Sequence, residues 1–369
     1  MDYGDVAATA DFKKRQAARG RKPTFSVFLE RFGDVTDYVD SVEVDSEIED
    51  SLHQPNFGHG SITLKNIGRV FTEASAPLIE RKHKVKVYAG FEDDNIPIWT
   101  GMVNKAAVST DQNIVTLNVA QFGQLLKDSQ TSGNFEDYST PKLLINELCG
   151  RVGLLPGVFE NDTGQPDNFT FGETFVENNR NFWAMIHGAC LCIMYIPYFD
   201  VNGRLQVKRR DSFTVTDFVF RDSNIKQMYY LGDADMINRK EVDFSTSVKF
   251  EFRFGDGVRP YQHSYSKTNT YSKGRWGEDA DYETDPLIGS WLNAKKIVDE
   301  IDTIYPFKKS LYSVAAPGIP QLELTDQVHV DSERYGISGE FVVVGARHSI
   351  SASRYTTEHK LVSKTGERM

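Results

Sequence analysis

Apolar and polar residues alternate with period two through three consecutive stretches in the first third of the chain, and the same arrangement returns at its end. KVKVYAG (Lys84 to Gly90), IPIWTGMVNKAAVS (Ile96 to Ser109) and NIVTLNVAQ (Asn113 to Gln121) make the first set. QVHVDSE (Gln327 to Glu333), GEFVVVGARHSIS (Gly339 to Ser351) and YTTEHKLVS (Tyr355 to Ser363) make the second. Successive side chains of a strand point to opposite faces, so this period predicts strands with one buried and one wet face. Val85, Val87 and Ala89 then share a face away from Lys84, Lys86 and Tyr88, and Val115, Leu117 and Val119 oppose Thr116 and Asn118. The gaps Glu92 to Asn95 and Asp111 to Asn113 are short and turn-rich, which suits antiparallel hairpins. Spacings agree too: Val87 to Val108 is 21 positions and Val330 to Ile350 is 20, while Val108 to Val119 and Ile350 to Leu361 are both 11. Two similar β-units are expected around a helix-containing middle, with Val87, Val119, Val330 and Leu361 in their cores.

The middle changes period. Thr140-Pro141 offers a capping hydroxyl with proline at the first helical position, and Leu143, Leu144, Glu147, Leu148 and Arg151 give a two-sided helix. A second helix is expected over Asn181 to Leu191, with Phe182, Trp183, Ile186 and Cys190 on one face. Tyr195 to Arg210 reads as a hairpin turning at Asn202-Gly203. Residues 225 to 254 return to strand, Arg259 to Asp285 reads as a long polar loop or insertion spotted with aromatics, and Asp285-Pro286 opens a third helix. Its apolar stripe is Trp291, Ala294, Val298, Ile301 and Tyr305. The fold class is therefore α+β, mainly β: two tube-like antiparallel β-barrels with helix-containing inserted domains. The expected division is an N-terminal arm (1–24), a first barrel (25–127), an α+β insertion with the Asn-Gly hairpin (128–224), a second barrel (225–258 and 310–363), and a loop and helix insertion (259–309).

Composition narrows the function classes. A formal charge of -10 argues against a protein that binds nucleic acid by neutralising phosphates, although it suits a surface that DNA must slide past. No stretch approaches the length of a membrane span and the first residues lack a signal-peptide core, so stable membrane insertion is not expected and the protein is assigned to the cytosol or to something assembled there. Cys149, Cys190 and Cys192 fit neither a disulfide framework nor a zinc motif and read as buried free thiols. The basic cluster Lys13, Lys14, Arg15, Arg19, Arg21 and Lys22 reads as a polar terminus or as an arm that orders on a neighbouring subunit.

Catalytic chemistry is sparse. Asp279, Asp281, Glu283 and Asp285 alternate like the first ligands of a calcium loop, yet Thr284 stands where that loop needs glycine and Ser290 where it needs glutamate. Glu92, Asp93 and Asp94 suit a hairpin tip. His53 and His59 lack a third ligand at metal-binding spacing, and His187 belongs on the Trp183 helix. No nucleophile elbow, phosphate loop or dinucleotide fingerprint occurs. No catalytic, cofactor-binding or metal-binding residues are assigned, and no cofactor is expected. Tyr261, Tyr265, Tyr271, Trp276 and Tyr282 concentrate in one polar segment and read as a subunit contact, with a sugar platform as the alternative.

Three runs carry a family resemblance. IWTGMVNKAAVSTDQNIVTLNVAQFGQLL resembles the first β-domain of phage tail hub proteins, and FWAMIHGACLCIMYIPYFDVNGRLQVKRR resembles their middle helix and hairpin. MINRKEVDFS, the Trp291 helix and PQLELTDQVHVDSERYGISGEFVVVGARHSISASRYTTEHKLVS resemble their second β-domain. The chain thus resembles the baseplate or tail hub of phages, related to the hub part of the type VI secretion spike. That resemblance implies a homotrimer with a pseudo-sixfold ring around a channel, placed in the virion tail after assembly in the host cytoplasm. Its implied partners are the tail tube hexamer, a separate spike or tip protein and other baseplate proteins, with DNA only as passing cargo. The sequence stops six residues after Ser363, so the spike fused in the type VI relatives is expected to be a separate chain. Alternatives are a cell-wall-directed hydrolase or carbohydrate-binding tail module, and a tail-tube or distal-tail ring subunit.

Overall fold

The computed structural model describes residues 22–48, 57–72, 79–92, 94–109, 113–130, 139–160, 167, 169, 171, 181–234, 239–252, 255–268, 280–284, 294–299 and 309–364. The basic cluster up to Arg21, His53, Asp93, Tyr271, Trp276, Asp279, Asp285, Ser290 and the rest of the third helix's stripe beyond 294–299 lie outside the described residues.

The first third holds β1 (Pro23–Leu29), β2 (Gly33–Asp34), β3 (Val39–Glu47), β4 (His59–Lys65), β5 (Lys84–Phe91), β6 (Asp94–Ser109) and β7 (Ile114–Ala120). Then come α1 (Gly123–Asp128), α2 (Pro141–Arg151), β8 (Val158–Phe159), α3 (Phe182–Cys192), β9 (Tyr195–Phe199) and β10 (Leu205–Arg209). The last part carries β11 (Thr214–Arg221), β12 (Gln227–Ala234), β13 (Arg239–Phe252), β14 (Gly255–Thr268) and β15 (Ala280–Thr284). A helical segment at 294–299 follows, then β16 (Lys309–Pro317), β17 (Asp326–Ser332), β18 (Ile337–Ser351) and β19 (Arg354–Ser363).

Most strands join one 13-stranded, predominantly antiparallel sheet, and its order is the same twice over. In the first half the neighbours run β3-β4-β7-β6-β5-β1; in the second they run β12-β16-β19-β18-β17-β11. Corresponding strands occur in the same chain order, and all corresponding pairs are antiparallel except that β1 runs antiparallel to β5 while β11 runs parallel to β17. Finer details repeat as well. Val103 pairs with Val119 and Val343 with Leu361, and in each case the next residue of the long middle strand, Asn104 or Val344, is a bulge. A residue with left-handed backbone, Lys82 (φ 78°) or Thr325 (φ 71°), stands just before the first strand of each meander. Its N–H donates to the carbonyl of Val103 at 2.8 Å or of Val343 at 2.9 Å.

Val87, Val119, Val330 and Leu361 are all buried, as the alternation requires. Each half gathers its own core. Val27, Val44, Leu64, Val85, Val103 and Leu117 come from six strands of the first half into one cluster, so that part of the sheet is strongly curled. Phe220, Val314, Val328, Val330, Phe341 and Leu361 make the counterpart in the second.

Several expectations change. Neither half closes into a barrel among the described residues: the free edge of β3 pairs with β18, and β11 and β12 end the second half without pairing to each other. Val108 and Ile350 are not equivalent, because the β18–β19 hairpin is longer; Val108 is half exposed while Ile350 is buried in the first half's core. Tyr88 is buried rather than wet, with its ring edge-on to Phe28. The Arg259–Asp285 stretch contains strand, not only loop: β14 and β15 flank β13 in a separate three-stranded sheet. Pro260 lies on β14, an edge strand, where a missing N–H need not break a ladder. β11 pairs in the large sheet although its residues were expected in the middle insertion, and β13, expected in the second barrel, pairs only with β14 and β15.

The helical part follows the capping signals. Thr140 Oγ1 accepts from Leu143 N at 3.4 Å with Pro141 at the first helical position, and Asn181 Oδ1 accepts from Ala184 N at 2.8 Å. Both helices pack their apolar faces into a core that includes Leu148, Trp183, Ile186, Phe199 and, from 294–299, Ala294 and Val298. Thr140→Ala is expected to cost about 1 kcal/mol in urea denaturation, the usual worth of an N-cap hydroxyl.

Candidate functional site

The three structural parts meet at one junction. From the middle part comes the β9–β10 hairpin. Its loop is Val201-Asn202-Gly203, one residue longer than the Asn-Gly turn expected, with Gly203 left-handed at φ 76°. Asp200 holds this loop by accepting from Asn202 N at 3.0 Å, Arg204 N at 2.8 Å and Gln206 Nε2 at 2.7 Å. A Cβ at Gly203 would sit 2.7 Å from the Phe122 ring, so the close approach to the first half needs glycine.

Buried polar side chains of the first half tie the parts together. Gln121 accepts from Gly58 N at 2.8 Å and donates to Ser46 Oγ at 3.0 Å and Phe199 O at 3.4 Å. Thr100 Oγ1 donates to Val201 O at 2.8 Å, and Trp99 Nε1 to Asp45 O at 2.9 Å. Such buried groups are tolerated because they are paired, and their directionality fixes one arrangement of the three parts.

The second half contributes the segment 322–326 and the seam. Along the seam β3 residues Ser41 to Glu47 pair antiparallel with Ser351 to Gly345 of β18. The carbonyl of the bulge residue Val344 accepts from Ile48 N at 2.7 Å. On the outer face Arg347 pairs with Glu43 and Lys360 with Glu47. The hairpin tip reaches across: Ile350 and Tyr355 belong to the first half's core, Tyr355 lying 6.0 Å from Phe91 between ring centroids. Tyr355 is pressed so closely on Gly318 that a Cβ there would come within 2.1 Å of the ring.

A cleft with about 20 Å³ of free volume, room for one water, opens between the parts and is lined in part by Ser46, Tyr198, Asp200, Glu323 and His348. Burial, reinforced by Asp326 and Asp200 and opposed by Lys208, pushes Glu323 up to about 7. Burial pushes Tyr198 up to about 12. Thr325, a β-branched residue in the left-handed region, is held by hydrogen bonds to Val343 O, from Thr214 N at 3.1 Å and from Lys208 Nζ at 3.1 Å. His348 Nδ1 lies 2.9 Å from the Tyr355 hydroxyl, and burial lowers this histidine to about 4. His359 is wholly buried with neither ring nitrogen partnered among the described residues; burial, with the neighbouring His348, lowers it to about 3.

With room for about one water, this cleft serves as a junction between the parts. No group of three or more His, Cys, Asp or Glu residues arranged to hold a metal occurs among the described residues. His59 is on β4, its N–H donating to Asp45, and His187 is on α3. The three cysteines are buried free thiols, with burial pushing Cys149 up to about 12 and Cys190 higher. Among the described residues no helix is long and apolar enough to cross a membrane. Sequence reasoning missed Asp200, Glu323 and His348 because they meet only after folding.

The two kinds of buried group titrate with opposite sign. A histidine held below its ordinary 6.5 contributes stability that is complete above pH 6.5 and is lost as pH falls toward about 4 for His348 and about 3 for His359. Glu323, held above its ordinary 4.5, contributes stability that is complete below pH 4.5 and is lost as pH rises through about 7. His359→Phe is therefore expected to flatten the fall in urea midpoint between pH 7 and pH 5. Glu323→Gln should raise the midpoint at pH 8 and change it little at pH 4.5. Parallel pH curves for wild type and both variants would contradict these assignments.

The sequence matches no protein-family model and no curated protein. The fold does have relatives. It superposes on the prophage MuSo2 43 kDa tail protein from Shewanella oneidensis with a TM-score of 0.62 and 14% identity, covering 93% of this chain and 98% of that one. The tail protein from Neisseria meningitidis MC58 gives 0.60 and 15%, covering 93% and 96%. The E. coli c3393 protein, a type VI secretion component described as structurally similar to T4 bacteriophage tail proteins gp27 and gp5, gives 0.51 and 10%, covering 94% and 79%. The chain therefore shares the fold of phage tail proteins and of a type VI secretion component, across nearly its whole length.

Proposed function

We propose that this protein is the structural hub of a phage tail: a homotrimer that joins the hexameric tail tube to a separate spike or tip protein and encloses part of the DNA channel. The observation that carries the reading is the six-strand order repeated twice in one chain. Three chains with two similar units each offer six similar positions, which is what a trimeric adaptor needs to meet a sixfold ring. The two units act as tube-like elements that complete their walls by assembly rather than as closed barrels. The protein works through contacts, not catalysis, within the virion tail beside other baseplate proteins. DNA passes as cargo, which the acidic balance of -10 suits.

Light scattering on the purified protein is expected to give three times the 41.7 kDa chain mass. A monomer at all concentrations would count against the hub. Peptidoglycan zymography is expected to stay blank, and a clearing band abolished by one carboxylate substitution would favour the hydrolase instead.

A further inference from the structure

His348 sits where the two halves meet. On β18 it pairs with Val44 of β3 across the seam and with Thr357 of β19 on its other side. Val44 and His348 are 0% and 4% exposed, so the imidazole is sealed beneath the strand pairing that joins the halves. Its hydrogen-bond partner is the Tyr355 hydroxyl, 2.9 Å from Nδ1, and Tyr355 lies in the first half's core although its strand belongs to the second. Among the described residues, only Ile350 and Tyr355 cross over in this way. Phe220, Val328 and Leu361 stay in the second half's own core, so the seam can part without unfolding either half.

We propose that His348 is an acid-sensitive latch: a proton taken up by its ring releases β3 from β18, and the two halves part while each keeps its own core. Such a latch works within one chain and does not depend on the hub reading.

The chemistry of the buried pair gives the direction. A neutral imidazole can accept the Tyr355 O–H at Nδ1, whereas a protonated one has only donors. That O–H must then turn away, and among the described residues it has no second partner. A cation in the interior also costs stability unless an anion is paired with it. β19 contributes Thr357, Tyr355 and the equally buried His359, none of them an anion. β3 contributes Val44, while Glu43, Asp45 and Glu47 alternate to the opposite face of the sheet. Tyr198, Asp200 and Glu323 line the same cleft, but neither carboxylate is bonded to His348, and Asp200 already accepts from Asn202 N, Arg204 N and Gln206 Nε2. Burial therefore holds the covered ring at about 4, against 6.5 when it is uncovered. Seam opening should rise about tenfold per pH unit as pH falls between those values.

Hydrogen exchange on the full chain, corrected for the chemical exchange rate at each pH and followed through low urea, tests this. Protection of Ser41–Glu47 and Gly345–Ser351 is expected to fall about tenfold per pH unit below pH 6.5 with little dependence on urea, the mark of a local opening. β5 and β17 should stay slower and open only as urea rises. Seam amides that share the urea dependence of β5 and β17, or whose protection does not change with pH, would overturn the latch on the wild-type chain alone. His348→Gln should abolish the pH response of the seam, and His359→Phe should keep it. A response that survives His348→Gln puts the sensor elsewhere, as at the outer Arg347–Glu43 and Lys360–Glu47 pairs, and overturns the assignment. A response lost in His359→Phe overturns it too, moving the trigger to the ring beside Phe220.

Discussion

Trp99→Ala is expected to cost about 3–5 kcal/mol of unfolding free energy, the range for removing a fully buried tryptophan. Its ring is wholly buried in the first half's core, and its indole N–H satisfies the Asp45 carbonyl at the end of β3. Alanine removes the ring and leaves that carbonyl short of a partner, so both burial and pairing are lost together. Gly101 adds to the constraint, because a Cβ there would lie 2.4 Å from the Trp99 ring. Collapse around the cavity is thus restricted by backbone already in contact. Chemical denaturation reads the loss, and a change under 1 kcal/mol would show that Trp99 is not the anchor described.

Tyr355→Ala carries the second large effect, again about 3–5 kcal/mol on the scale for large aromatic truncations. Tyr355 lies on a strand of the second half but is buried in the core of the first, and its hydroxyl is the partner of buried His348. Its removal should loosen the seam as well as lower stability. Amide hydrogen exchange should therefore speed up at Ser41–Glu47 and Gly345–Ser351 more than at β5 or β17. Ile350 shares that core, so the loss in a Tyr355→Ala, Ile350→Ala double variant should differ from the sum of the single losses. Exchange that rises evenly over the whole sheet would contradict a seam held by the hairpin tip.

Local signals in the sequence located most of what local forces decide. Thr140 and Asn181 cap helices because each offers an oxygen to a free N–H, and β7 alternates buried and open residues because one face meets a core. The repeat of three strands was legible because burial imposes the same period in both halves. Its alignment at Val108 and Ile350 was not, since spacing alone does not reveal how far a hairpin extends past a bulge. The remaining strands were expected as strands, but their equivalence between the halves was not legible, because in the second unit an insertion separates β12 from β16 while the first unit has none there. β14 escaped notice because its alternation is of aromatic with polar residues, interrupted by Pro260, rather than of apolar with polar. The junction was invisible for a different reason: Gln121, Asp200, Glu323 and His348 come from separate parts of the chain, and nothing near any of them in sequence marks its partners.

The central claim, a trimer that presents six similar β-units around a channel, is tested most directly by electron-microscopic class averages of the purified assembly viewed down its axis. The account predicts a ring of three chains with threefold symmetry outside, six similar inner lobes and an open centre. A ring of six chains with one inner lobe each, or particles with no ring at all, would contradict it.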